Sequence, residues 1–213
     1  MARERCYNCF RPQSSCMCKY ISTINTNTQF IILMHPKEFQ KTKNGTGYFT
    51  HRSLPNSKMF QGIDFTNNKE INTILDNPNN NCFLLYPTEN SIILNDQNIQ
   101  KENKKNVIFI IDSTWPCANK IIAVSKNIQK LPTLSFTHTK SSQFKIKTQP
   151  KEYCLSTMES TLCILELLNS HNIENIKDDV LQDFLKPFKK MVEYQVKCSL
   201  DNGEVRYKAP FKN

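Results

Sequence analysis

The sequence predicts an α/β fold on a mostly parallel β-sheet, preceded by an N-terminal zinc-binding module. Three observations carry this. The apolar runs QFIILM, NNCFLLY and NVIFIID are continuous rather than alternating, as expected of strands buried on both faces. Segments between and after these runs carry apolar residues at helical spacing. Four cysteines crowd into CYNCFRPQSSCMC near the start of the chain.

The elements follow in order. Cys6, Cys9, Cys16 and Cys18 form C-x2-C-x6-C-x-C. Four thiolates close a tetrahedral zinc site with no open position, so such a zinc is structural. Arg5 and Arg11 favour the thiolate form. Disulfides and unpaired buried thiols are the competing states, the first disfavoured in a reducing compartment. Cys82, Cys117, Cys154, Cys163 and Cys198 are scattered singly and behave as small apolar residues. After the polar linker STINTNT, QFIILMHP reads as a strand stopped by Pro36, NNCFLLYPT as a second stopped by Pro87, and NVIFIID as a third. LPTLSF is a weaker fourth. NNKEINTILDNPNNN and NDQNIQKENKKN read as polar connectors. CANKIIAVSKNIQ sets Ile121, Val124 and Ile128 at helical spacing. STMESTLCILELLNS opens on a capping box, Ser156 with Glu159. A final helical segment, DDVLQDFLKPFKKMVEYQVK, is kinked or divided at Pro187, and LDNGEVRYKAPFKN is a loose or docked extension.

The 213 residues suit one domain with a small appendage. No apolar run approaches membrane-spanning length, and the start MARERCYNCF carries no signal-peptide pattern, so a cytoplasmic protein without a membrane partner is expected. The net charge of +9 is unevenly placed: residues 1–60 hold nine Lys and Arg against Glu4 and Glu38. A second basic stretch, TKSSQFKIKTQPK, carries Lys140, Lys145, Lys147 and Lys151 without an acid. Such clusters suit a phosphate backbone, although a solvated basic face has the same composition.

In parallel sheets ligands sit beyond the carboxyl ends of the strands. Those ends lead into HPKEFQKTKNGTGYF, YPTEN and DSTWP. Asp112 is an acid emerging from an apolar strand, placed either for chemistry or to cap the helix after Pro116. The helix opening at Ser156 offers free N–H groups and a positive dipole end to a carboxylate or phosphate, and Ser156 and Thr157 add hydroxyls. Trp115, the single tryptophan, serves as a base or adenine platform or as core. No GxGxxG, Walker, HExxH or GxSxG motif is present.

Together, DSTW, LMHPKE with KTKNGTG, RSLPNSKMFQG, LLYPTE, QPKEYCLSTMES and the leading cysteine block resemble, in order, the blocks of the DTW-domain family across about residues 5–170. That family is similar in fold to the SPOUT methyltransferases, and the resemblance implies a SPOUT-like, trefoil-knotted sheet. Its characterised members are tRNA-uridine aminocarboxypropyltransferases. The resemblance therefore implies transfer of the 3-amino-3-carboxypropyl group of S-adenosylmethionine to N3 of a uridine in tRNA. It divides the chain into a four-cysteine zinc module at 1–24, a catalytic domain at 25–196 and a C-terminal extension at 197–213. It implies Asp112 as the catalytic residue, acting as base or holding the donor's ammonium group. The cofactor pocket is expected from Leu85, Tyr86, Pro87, Asp112, Ser113, Thr114, Trp115, Leu134, Ser135, Leu155, Ser156 and Thr157. RNA contacts are expected from His35, Lys37, Lys41, Lys43, Thr46, Gly47, Arg52, Lys145, Lys147 and Lys151. One departure stands out: Tyr48 occupies the position of a family arginine, and Arg52, one helical turn on, is a substitute. A methyltransferase with the donor turned, a non-catalytic zinc-containing RNA-binding protein, and a ribosomal RNA substrate are the alternatives.

Overall fold

The computed structural model describes residues 4–9, 11–41, 45–138 and 155–201. Its strands are β1 (Gln29–Met34), β2 (Lys58–Gln61), β3 (Asn80–Leu85), β4 (Ile92–Ile93), β5 (Lys105–Asp112) and β6 (Thr133–Ser135). They form one all-parallel sheet in the order β2-β1-β5-β3-β6-β4. β5 is central, and its register sets Asp112 beside Met34 of β1 and Ile110 beside Leu85 of β3. Three carboxyl ends therefore finish almost level.

The helices are α1 (Pro36–Lys41), α2 (Thr46–Ser53), α3 (Lys69–Asp76), α4 (Trp115–Val124), α5 (Thr157–Ser170), α6 (Asp178–Phe184) and α7 (Lys186–Asp201). Alternation along each strand divides the core into two layers. Ile108 and Ile110 face α2, α5, α6 and α7, with Phe49, Ile164, Leu165, Phe184 and Phe188 in one cluster. Val107 and Phe109 face α3 and α4, with Ile71, Ile74 and Ile121 in the other. Every residue from Phe30 to Leu33 and from Val107 to Phe109 is fully buried, which is why these strands are apolar without interruption. Burying one such side chain contributes about 1.5–3 kcal/mol.

Several elements depart from the sequence expectation. NNKEINTILD is not a connector. Asn68 caps α3 by accepting the Ile71 N–H at 3.0 Å, and Ile71 and Ile74 anchor it to the sheet. The segment after β1 forms α1 and α2, and β2 and β4 are strands beyond the four expected. α4 ends at Val124, leaving Ile128 in a separate 3-10 turn. The last helical segment does divide, at Leu185; Pro187 lies in the first turn of α7, where a missing N–H costs little. The fourth strand is β6. The basic stretch 140–151, Cys154 and residues 202–213 of the tail lie outside the described residues.

The cysteine segment is a small knuckle. Arg5 and Pro12 form an antiparallel bridge, the Cys6 N–H donates to the Arg11 carbonyl at 2.7 Å, and short 3-10 turns follow at Gln13–Ser15 and Cys18–Tyr20. Met17 and Ile24 are buried in the same core cluster as α5–α7, so the knuckle is fastened to the body of the fold.

Candidate functional site

Strand parity turns Asp112 to the same side as Ile108 and Ile110, toward α2 and α5. The residue is only 6% exposed. The Thr157 hydroxyl donates to Asp112 Oδ1 at 2.5 Å, and the His35 N–H donates to the Asp112 carbonyl at 3.2 Å. Thr157 is the first residue of α5, held by a complete capping box. The Ser156 hydroxyl accepts the Glu159 N–H, and Glu159 Oε2 accepts the Ser156 N–H at 2.8 Å. α2 starts from Gly45, which has no side chain to cap it. A Cβ on Gly47 would stand 2.5 Å from both Cγ and Oδ2 of Asp112, so only glycine lets this backbone approach the carboxylate. The amino ends of α2 and α5 thus converge on one side chain, where a negative charge suits both helix dipoles. Thr114, and not Asp112, is the N-cap residue of α4.

Beside Asp112, the ends of β3 and β6 run together: the Tyr86 N–H donates to the Leu134 carbonyl at 3.0 Å, and the Leu94 N–H to Ser135 at 2.9 Å. Trp115 is 39% exposed and is therefore not core. Its ring meets that of Tyr86 at 5.7 Å between centroids and 58°. The Tyr86 hydroxyl donates to Asn119 Oδ1, and partial burial raises the phenol pKa. Three hydroxyls gather next to this aromatic pair. Thr88 and Thr133 lie 2.7 Å apart, Ser91 lies 2.9 Å from Thr133, and the Ser91 hydroxyl donates to the Tyr86 carbonyl at 3.1 Å. Leu134 is buried, Leu85, Ser113, Ser135 and Leu155 are half-buried, and Pro87 and Thr114 are exposed. All of the expected pocket residues thus stand at or beside the ends of β3, β5 and β6 or at the start of α5. Two cavities elsewhere, of about 320 and 310 Å³, lie at the opposite strand ends and beside the knuckle.

The four cysteine sulfurs of Cys6, Cys9, Cys16 and Cys18 all lie within 4.8 Å of one another. Zn–S bonds of about 2.3 Å in a tetrahedron require S···S edges of about 3.8 Å. Cys9 and Cys16 stand 3.7 Å apart, which fits that edge and is far beyond a disulfide bond. Backbone N–H groups of Cys9 and Asn8 lower the Cys6 pKa to about 6, whereas burial raises those of Cys16 and Cys18. The soft, closed donor set fits a structural zinc.

Tyr48 and Arg52 join this knuckle to α2. The Tyr48 hydroxyl donates to the Asn8 carbonyl at 3.2 Å, Arg52 Nη2 donates to the same carbonyl at 2.5 Å, and Arg52 Nε donates to the Tyr48 hydroxyl at 3.2 Å. The guanidinium carbon lies 5.3 Å from the Tyr48 ring centroid. Arg52→Ala is expected to release zinc to a competing chelator several-fold faster than wild type. Lysine at the same position restores little, because it lacks the two-pronged donor. Unchanged release kinetics in Arg52→Ala would detach the knuckle from this contact.

The other expected RNA residues are spread around α1 and α2. His35 is 4% exposed, and its Nδ1 accepts the Lys37 N–H at 3.1 Å. Lys37 is exposed at the start of α1 and Lys41 ends that helix. Thr46 opens α2 and its carbonyl accepts the Thr50 hydroxyl at 2.9 Å. Lys43, Lys145, Lys147 and Lys151 lie outside the described residues. Nothing in the sequence points to Asn8, Thr88, Ser91, Asn119 or Thr133, because their partners are distant in the chain and their types are common in loops.

The DTW domain family matches residues 3–196. Among curated relatives, the Drosophila melanogaster protein named tRNA-uridine aminocarboxypropyltransferase 2 is 29% identical over 97% of this chain and 79% of its own length. Proteins of the same name from Macaca fascicularis and Mus musculus are 26% and 24% identical, each over 91% of this chain. The chain spans 64% of the length of each of these two mammalian relatives. No solved structure matches it. With the family match running through the knuckle, the whole sheet and most of α7, the chain belongs to the DTW domain family.

Proposed function

We propose that this protein transfers the 3-amino-3-carboxypropyl group of S-adenosylmethionine to N3 of a uridine in tRNA. The relatives it resembles are named tRNA-uridine aminocarboxypropyltransferase 2. The observation that carries the reading on this chain is the buried Asp112 at the end of β5, gripped by Thr157 and the glycine face of α2. A SPOUT-like, trefoil-knotted path of the chain belongs to the same reading, as does its division into a zinc module (1–24), a catalytic domain (25–196) and an extension (197–213).

Bound across the strand ends, S-adenosylmethionine supplies a sulfonium whose aminocarboxypropyl carbon is open to attack. Which of the three sulfonium carbons reacts depends on aim, so positioning is the main device of the site. The backbone from Leu85 to Pro87 and at Leu134 and Ser135 holds the adenine. Trp115 and Tyr86 form a tilted aromatic wall beside it, and Ser113 and Thr114 close the pocket. Leu155 borders the donor, and Ser156 and Thr157, at the head of α5, receive its carboxylate. Asp112 takes the N3 proton of uridine or holds the donor's ammonium group, and Thr157 fixes its orientation for either role. Cys6, Cys9, Cys16 and Cys18 hold a structural zinc. Lys37, Lys41, Lys43, Lys145, Lys147 and Lys151 contact tRNA phosphates, and His35, Thr46, Gly47 and Arg52 complete the set of RNA contacts. The setting is cytoplasmic. Among the described residues no helix is long and apolar enough to cross a membrane.

Incubation with tRNA and S-adenosylmethionine, followed by nucleoside mass spectrometry, is expected to show uridine gaining an aminocarboxypropyl group. A methyl gain would make the protein a methyltransferase. Absence of donor binding by calorimetry would leave only RNA binding. Modification confined to ribosomal RNA in a comparison with a deletion strain would move the substrate.

A further inference from the structure

A groove of about 310 Å³ opens between the knuckle and α7. Cys16, Lys19 and Tyr20 line it from the knuckle side, and Lys190, Glu193, Tyr194 and Lys197 from α7. The 3-10 turn Cys18–Tyr20 packs against α7, and Met17, Phe188 and Met191 share one buried cluster beneath, so both walls are fixed. The cations outnumber the acid. Lys190 pairs with Glu193 at 2.7 Å, while Lys19 and Lys197 are exposed to solvent. Lys19 Nζ stands 5.1 Å from the Tyr20 ring centroid, setting a charge beside an aromatic face. Tyr20 and Tyr194 are both half-buried, which leaves part of each ring available at the groove.

We propose that this groove binds the sugar-phosphate backbone of a tRNA strand, with Lys19 and Lys197 on phosphates and the tyrosine rings against exposed bases. Paired cationic walls lined with rings are the arrangement that single-stranded nucleic acid requires. Position agrees with this. α2 runs from Gly47, against Asp112, to Arg52, against the knuckle carbonyl of Asn8. Five residues of helix cover about 7.5 Å, so α2 links the carboxylate to the knuckle that forms one wall of the groove. It is also on the same side of the sheet as Asp112. The inference rests on tRNA being the substrate and adds a contact surface that the strand-end pocket does not include.

The test uses the full, zinc-loaded chain carrying Lys19→Ala and Lys197→Ala together. Each phosphate contact contributes a slope of about 0.7–0.9 in the logarithm of affinity against the logarithm of salt. The double variant is therefore expected to bind tRNA roughly 15- to 30-fold more weakly at about 0.15 M salt, with the slope reduced by roughly 1.4–1.8. Its calorimetric affinity for S-adenosylmethionine and its kcat at saturating tRNA stay at wild-type values. A control double, Lys69→Ala with Lys130→Ala, removes two exposed lysines carried with α3 and the 3-10 turn that cover the opposite face of the sheet. It is expected to leave tRNA affinity unchanged. Tyr194→Phe keeps affinity, whereas Tyr194→Ala lowers it. Wild-type affinity in the groove double, or equal losses in the two doubles, overturns the groove. A wild-type protein that binds tRNA but attaches no aminocarboxypropyl group overturns the catalytic reading and leaves the affinity comparison to decide the groove by itself.

Discussion

Asp112→Asn is expected to lower kcat for aminocarboxypropyl transfer by roughly 10²–10⁴-fold, the range for losing a positioned proton-transfer group. The amide has the same shape, and its oxygen can still accept the Thr157 hydroxyl that now meets Oδ1 at 2.5 Å. Folding should therefore change little, and a thermal melt close to wild type checks that. The variant also separates the two roles. If the carboxylate removes the N3 proton, raising pH restores part of the rate, because the uridine then loses its own proton. If it holds the donor's ammonium group, the loss persists at every pH and the affinity for S-adenosylmethionine falls with it. Full turnover in Asp112→Asn would remove the residue from both roles, and with it the observation on which the functional reading stands.

The second large effect is expected from the smallest change. Gly47→Ala adds one carbon where Asp112 Cγ and Oδ2 would lie 2.5 Å away, so either α2 or the carboxylate must move by about 1 Å to regain ordinary contact. Overpacking of this kind costs about 1–3 kcal/mol of stability. A displacement of about 1 Å at a reacting group costs roughly 10²-fold in rate. Both losses should appear, as a lower melting temperature and a lower kcat. A double-mutant cycle identifies the cause. Combining Gly47→Ala with Asp112→Ala removes the two atoms met at 2.5 Å but keeps Asp112 Cβ at 2.9 Å, so it should recover part of the lost stability while activity stays low. Additive losses in that cycle would place the strain elsewhere in α2.

How far the sequence revealed this depends on which physical signal each part carries. β1, β3 and β5 lie between two core layers, so their central residues are apolar and each run was visible. β2 is an edge strand, Lys-Met-Phe-Gln, exposed at both ends, and β4 is two residues long; neither leaves a pattern. α3 hides in an asparagine-rich stretch because two isoleucines suffice to dock it and an asparagine caps it. The capping box at Ser156 was legible because its partners are three residues apart. The hydrogen bond from Thr157 to Asp112 was not, since 45 residues separate them. A carboxylate ending an apolar strand stood out by its chemistry. That a glycine from the distant KNGTG segment is pressed against it could emerge only from three dimensions. Tyr48 illustrates the same limit. The sequence marks it as a departure from the family arginine, and the structure finds it bonded, together with Arg52, to the knuckle carbonyl of Asn8.

The strand order has a consequence for the making of the molecule. β5 separates β1 from β3, although both precede it in the chain. At a translation rate of roughly 5–20 residues per second, the roughly 75 residues between β1 and the end of β5 take about 4–15 s to synthesise. During that interval the Phe-Ile-Ile-Leu edge of β1 leaves the ribosome before its main neighbour exists. Such an exposed apolar edge invites pairing with other nascent chains. Yield in a cell is thus expected to depend on how soon residues 105–112 follow β1 from the ribosome.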